Sequence, residues 1–297
     1  MITVGLIGYG YWGKLLAQYL EASRFFELKY IYSTKPGTPK GTSDIRSLFE
    51  KEIEAIFIAS PGITHYAYTK TFLNEGKHVF CEKPLSSKTI EMEEVFDLAK
   101  AKNLALHINY IYLQSPSINF IKESFSQIGE IQHIEFLMKQ YGKFYNKQNA
   151  FEVIGCHLLS VYFYLFPKTD TKDLSINFDP QVKKNSLFVQ KLKLDSPHYN
   201  ALFDVSLEHP EKQRGIHITG RNGIMSFNPE SPNSVIIYGF QYQKLIELDI
   251  KSFDEKNNIS NALEYFAQMI NHEKPGYESI IKKVSKILEK IKVEESR

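Results

Sequence analysis

Ile2-Thr3-Val4-Gly5-Leu6-Ile7 runs straight into Gly8-Tyr9-Gly10-Tyr11-Trp12-Gly13. An apolar run reads as a buried strand, and GxGxxG directly after a strand and ahead of a helix is the phosphate loop of a dinucleotide-binding βαβ unit. Each glycine has a separate task there. Gly8 permits the tight turn, Gly10 lets the main chain approach a pyrophosphate, and Gly13 lets helix and strand pack closely. The pyrophosphate then lies on the N–H groups at the positive end of the helix, beside Tyr11 and Trp12. A P-loop is the rival pattern, since Gly8…Gly13-Lys14 matches GxxxxGK. Leu15 stands where that motif needs Ser or Thr for Mg²⁺.

Outward from this loop the pattern repeats. Residues 14–23 carry Leu15, Leu16, Tyr19 and Leu20 on one helical face. Strands are expected at 28–33, 55–59, 78–81 and 105–110. Helices are expected at 45–51, 64–75 and 89–102, the second stopped by Gly76. Strands alternating with helices imply right-handed crossovers and a parallel sheet covered on both faces. The pattern changes near residue 118. Strands at 131–141, 186–194, 199–207, 215–219, 224–227, 234–238 and 244–248 follow with turns between them, several alternating polar and apolar. That predicts a large, mostly antiparallel sheet with one face covered. One helix at 152–166 interrupts the strands, and two helices close the chain. The expected organisation is an α/β Rossmann domain over 1–118 and an α+β substrate-binding and oligomerisation domain over 119–297.

Composition excludes several function classes. The chain has 297 residues, 43% hydrophobic and 24% charged, which is globular material for two domains. A net charge of +2 with scattered basic residues gives no footprint for nucleic acid or an acidic membrane. Cys81 and Cys156 form no CxxC or CxxH pattern, so neither a disulfide framework nor a metal site is expected. No apolar run reaches the roughly 18 residues of a membrane span, and no leader is expected ahead of the first strand. A cytoplasmic protein is the expectation. An exposed sheet face predicts a homodimer or homotetramer through the C-terminal sheet.

NAD enzymes place an acidic residue about 20 positions after the glycine loop, on the ribose 2′-hydroxyl. Here the second strand ends in Ser33-Thr34-Lys35. With no carboxylate to repel a 2′-phosphate and a lysine to attract one, NADP(H) is favoured over NAD(H).

The chain resembles the glucose–fructose oxidoreductase, inositol dehydrogenase and rhizopine catabolism protein (Gfo/Idh/MocA) family. The likeness runs through the glycine loop, Ala59-Ser60-Pro61-Gly62-Ile63-Thr64-His65, and Gly76-Lys77-His78-Val79-Phe80-Cys81-Glu82-Lys83-Pro84, the most specific stretch. Gly129-Glu130-Ile131, Gly155-Cys156-His157 and Gly220-Arg221-Asn222-Gly223 follow in order. The Gly-Tyr-Trp-Gly form of the loop looks most like members acting on nucleotide sugars. The resemblance implies that Ser60, Pro61 and His65 line the cofactor. It also implies that Lys83, held by Glu82, lies by the nicotinamide and the reacting oxygen, and that His157 exchanges the hydroxyl proton. A lysine charge polarises a carbonyl oxygen, and an imidazole exchanges protons near neutrality. The pattern departs at one point. The family's carboxylate four residues before the histidine is Val153 here, while Glu152 points elsewhere on the helix and Leu158 and Ser160 follow.

The expected function is hydride transfer between NAD(P) and a secondary alcohol or ketone carbon of a sugar, nucleotide sugar or cyclitol. Two alternatives stand beside it: a biliverdin-reductase-like enzyme, and a dinucleotide-sensing binding protein without catalysis.

Overall fold

A computed structural model describes residues 1–145, 148–178, 187–229, 233–254 and 258–295. The chain divides into two units, one of Met1–Ile111 with Asn257–Glu289 and the other of Tyr112–Lys256 with Lys290–Arg297. The first unit does not end as a single segment near residue 118.

Six strands build its sheet: β1 (Ile2–Ile7), β2 (Phe26–Tyr32), β3 (Gly41–Thr42), β4 (Ala55–Ile58), β5 (His78–Glu82) and β6 (Leu106–Asn109). Their order is β3-β2-β1-β4-β5-β6, and every pair is parallel. Sequence patterning misses β3, two residues being too short to show a period. The helices are α1 (Tyr11–Glu21), α2 (His65–Asn74) and α3 (Thr89–Ala101). The expected helix at 45–51 is a 3-10 turn, Ile45–Phe49. Gly76 takes φ +75° just past α2, the left-handed stop that glycine allows.

The β4 residues are buried on both faces, as a central parallel strand requires. Phe26, Phe57 and Phe80 project from neighbouring strands, and Phe266 packs against all three at centroid distances of 6.0, 5.5 and 5.5 Å. Such ring pairs contribute about 0.5–1.5 kcal/mol each beyond area burial. Because Phe266 lies far down the chain, residues 258–270 complete this core.

In the second unit α4 (Pro116–Glu123) and α5 (Phe125–Ile128) precede β7 (Ile131–Tyr141). A π-helical turn, Phe151–Gly155, leads into α6 (Cys156–Leu165). The strands β8 (Ser175–Phe178), β9 (Val189–Asp195), β10 (Asn200–Ser206), β11 (Glu208–Gly220), β12 (Gly223–Asn228), β13 (Ser234–Gln241) and β14 (Lys244–Ser252) follow. Sequence reading missed β8, α4 and α5; the first residue of its 186–194 strand lies outside the described residues. The order is β14-β13-β12-β11-β7-β10-β9-β8, antiparallel except for β7 with β10. Ile134, Phe136 and Met138 of β7 are buried, with Phe136 stacked on Phe203 at 4.7 Å and Tyr162 of α6 edge-on to Phe203. The alternate residues Glu135, Lys191, Lys193, Leu202 and His217 are exposed on the other face, around a hollow of about 600 Å³.

α7 (Asn258–Ile270) and α8 (Glu278–Glu295) close the chain. Among the described residues no helix is long and apolar enough to cross a membrane.

Candidate active site

The parallel sheet leaves one site open by its topology. Strand order reverses between β1 and β4, and ligands of such sheets bind outside the carboxyl ends at that reversal. Gly8 follows β1, Ser60 and Pro61 follow β4, Glu82 ends β5 and Asn109 ends β6.

The three glycines behave as their spacing predicts. Gly8 has φ +95°, and a Cβ there would meet the Ala59 carbonyl oxygen at 2.7 Å. A Cβ on Gly13 would lie 2.1 Å from the Gly8 oxygen. Around Gly10 a Cβ would meet nothing within 4 Å. The chain is therefore closed at the outer two positions and open at the middle one, where a pyrophosphate must approach. α1 starts there with no side-chain cap and no acidic residue in its first turn, so its positive end is not neutralised by its own side chains. Tyr11 is 67% and Trp12 42% exposed, their rings edge to face at 5.6 Å. Both sit inside α1, which begins three residues earlier than periodicity suggests. A dinucleotide fits this loop.

At the end of β2, Ser33 Oγ accepts from Lys35 N at 3.1 Å, and Thr38 Oγ1 donates to Lys35 O at 2.8 Å. Thr34 and Lys35 are exposed. Among the described residues Lys35 has no ion-pair partner, whereas Arg46 is bound to Asp44 at 2.8 Å.

Ser60 Oγ and Thr64 Oγ1 share a hydrogen bond of 2.7 Å that closes the Ser60–Thr64 turn. His65 is buried behind it, with both ring nitrogens facing main-chain oxygens. It offers no nitrogen to a dinucleotide, so its expected place among the cofactor-lining residues becomes a supporting one.

Lys83 is half-buried and precedes a cis peptide to Pro84. Glu82 accepts from Asn109 Nδ2 at 2.8 Å. Burial pushes the Glu82 carboxyl above its usual range, against the pull of Asn109 and of the Lys83 charge. Cys81 is fully buried, and burial pushes its thiol up, which leaves it inert. Asn109 escaped sequence reasoning. The one signal was strand counting, because β5 and β6 pair Glu82 with Asn109.

His157 lies in the first turn of α6, edge-on to the Tyr112 ring at 5.4 Å. Glu152 is 3% exposed and fully engaged elsewhere. It accepts from Asn149 N at 3.1 Å, its own N–H donates to Asn149 Oδ1 at 2.8 Å, and Lys292 pairs with it at 2.7 Å. This reciprocal cap fixes the start of the π turn ahead of His157. Lys83 belongs to the first unit and His157 to the second.

Residues 2–110 match the oxidoreductase family with an NAD-binding Rossmann fold, Gfo/Idh/MocA. The match places that family's NAD-binding domain in the N-terminal unit of this chain. Among curated proteins, the chain is 30% identical over 125 residues to scyllo-inositol 2-dehydrogenase (NADP(+)) IolU of Bacillus subtilis, covering 42% of this chain and 38% of that protein. It is 32% identical over 77 residues to biliverdin reductase A of Homo sapiens, covering 26% of each. The chain thus matches less than half the length of these curated relatives. Among solved structures, UDP-N-acetylglucosamine 3-dehydrogenase GnnA from Acidithiobacillus ferrooxidans superposes with a TM-score of 0.83 at 18% identity, over 99% of this chain and 98% of that one. The fold is thus shared along the length of both chains.

Proposed function

We propose that the protein is an NAD(P)-dependent oxidoreductase acting on a secondary alcohol or ketone carbon of a sugar, nucleotide sugar or cyclitol. The observation that carries the reading is the glycine geometry: closed at Gly8 and Gly13, open at Gly10, at an uncapped helix start. Gly8, Gly10, Tyr11, Trp12 and Gly13 hold the pyrophosphate side. Ser60 and Pro61 line the middle, and Glu82 and Lys83 stand at the reacting end. When bound, the nicotinamide accepts or supplies the hydride. In reduction the Lys83 ammonium stabilises negative charge on the reacting oxygen, and in oxidation the hydroxyl proton leaves through Lys83 in its neutral form or through His157. His157 is the second proton-exchanging group. Ser33, Thr34 and Lys35, which has no ion-pair partner among the described residues, favour NADP(H), in keeping with the NADP(+) in the name of the inositol dehydrogenase relative.

The test is a titration of nucleotide-stripped protein with NADPH and NADH, following energy transfer from Trp12, the single tryptophan. Saturable binding, tighter for NADPH, is expected, followed by turnover in a sugar and nucleotide-sugar panel. Failure to bind either form removes the reading. Lys83→Ala is expected to keep cofactor affinity and lose most turnover.

The biliverdin-reductase relative keeps a second reading open, and its match covers 26% of the chain. Mixing with biliverdin and NADPH tests it, with no bilirubin absorbance expected. A second copy of the chain is proposed to cover the exposed face of the eight-stranded sheet. Light scattering is expected to give a mass of two or four chains, and a monomer would remove that proposal.

A further inference from the structure

His65 opens α2 and is 2% exposed. Its Nε2 lies 2.8 Å from the Ser60 carbonyl oxygen, and its Nδ1 lies 3.0 Å from that of Pro84. These oxygens belong to different turns. Ser60 follows β4, on the proposed cofactor side. Pro84 follows Lys83 at the end of β5. One buried ring therefore reaches both turns, while main-chain hydrogen bonds between β4 and β5 end at the sheet.

A neutral imidazole carries one N–H and can donate to only one of the two oxygens. Donation to both requires the imidazolium, whose hydrogen bonds are also stronger. The charge facing the ring is the Lys83 ammonium. The next turn of its own helix places neutral Thr69 below it, and Glu82 presents its main-chain oxygen.

We propose that His65 is a positioning residue that ties the Ser60 turn to the Lys83–Pro84 turn and so fixes where Lys83 stands. The inference rests on the oxidoreductase reading only in treating Lys83 as the reacting residue. The tie itself belongs to the free protein. Burial and the Lys83 charge push the ring's pKa below its ordinary 6.5, against the pull of the carbonyls. At neutral pH the ring is uncharged and donates to one turn. In acid the second nitrogen gains a proton where an oxygen already waits, and the tie closes on both sides.

Two measurements on the full-length, ligand-free protein test this. The first is a ¹⁵N-histidine NMR titration, with His65 assigned by the signal missing in His65→Gln. A midpoint below the ordinary value is expected, moving upward in Lys83→Met as the like charge is removed. A midpoint unchanged by that substitution overturns the proposal. The second is reductive methylation read peptide by peptide, with the Lys83 rate taken relative to exposed Lys88. In His65→Phe, which keeps neither donor, that ratio is expected to change about threefold or more. His65→Gln and His65→Asn each keep one donor and carry the test if the phenylalanine variant does not fold. An unchanged ratio in every one of these variants that folds overturns the tie. Failure of the wild type to bind NADPH removes the enzymatic reading and leaves both measurements interpretable.

Discussion

Asn109 donates its side-chain amide to the Glu82 carboxylate at 2.8 Å, across the ends of two paired parallel strands. This bond holds an acidic group in a site whose burial resists its ionisation. Because the folded-state pKa of Glu82 is raised, the native protein holds a proton that the unfolded chain releases. Stability from this group is full below the unfolded value and is lost as pH rises through the folded one. Glu82→Gln is expected to flatten that part of the stability–pH curve, read by urea denaturation from pH 4 upward. Asn109→Ala is expected to destabilise by about 1–3 kcal/mol above neutrality, since it strips a buried carboxylate of its donor. A Glu82→Gln curve that falls between pH 4 and pH 8 as much as the wild type's would show that the carboxyl is not perturbed.

His107 supplies the opposite sign. It is buried against Phe80 at 4.9 Å, and burial pushes its pKa down to about 3. The unfolded chain then binds the proton first, so stability is full above the ordinary histidine range and falls as pH drops through that range toward the folded value. His107→Phe, which keeps a stacked ring, is expected to be less sensitive to acid between pH 6.5 and 4 in thermal unfolding. Equal acid sensitivity in both proteins would contradict this.

The glycine loop separates folding from binding. Gly10→Ala adds a methyl to open space and is expected to change stability by less than about 0.5 kcal/mol while weakening NADPH at least about tenfold. Gly13→Ala drives a Cβ into the Gly8 carbonyl and is expected to cost about 1–3 kcal/mol of stability. Calorimetry and fluorescence titration on the two variants give the contrast. A Gly10→Ala protein with unchanged NADPH affinity would place the pyrophosphate elsewhere.

Lys35 is the proposed selector between the two dinucleotides. Lys35→Ala is expected to weaken NADPH about tenfold and leave NADH unchanged, because only the former carries the 2′-phosphate. Parallel loss of both would make Lys35 a general contact and not a selector.

Much of the fold was legible because its signals are local. Gly8, Gly10 and Gly13 declare a loop within six residues, and Ile131–Tyr141 shows its period without help. What escaped depends on distance along the chain. β3 exists because Gly41 and Thr42 hydrogen-bond to β2, and no periodicity marks two residues. Asn109 matters because register sets it beside Glu82. His65 reads as a cofactor residue from its motif, and only packing shows both nitrogens turned inward. Glu152 shows the reverse case. Helical geometry alone predicted that it points away from His157, and its bonds to Asn149 and Lys292 agree.

Phe266 has a consequence for how the protein is made. The rings of Phe26, Phe57 and Phe80 leave the ribosome early, and the ring that packs against all three is synthesised well over a hundred residues later. Throughout that interval the nascent N-terminal unit displays an unfinished apolar surface. A ribosome stalled anywhere before residue 266 therefore presents quality control with an open core, and the long first segment of the second unit must be translated before the first unit can close.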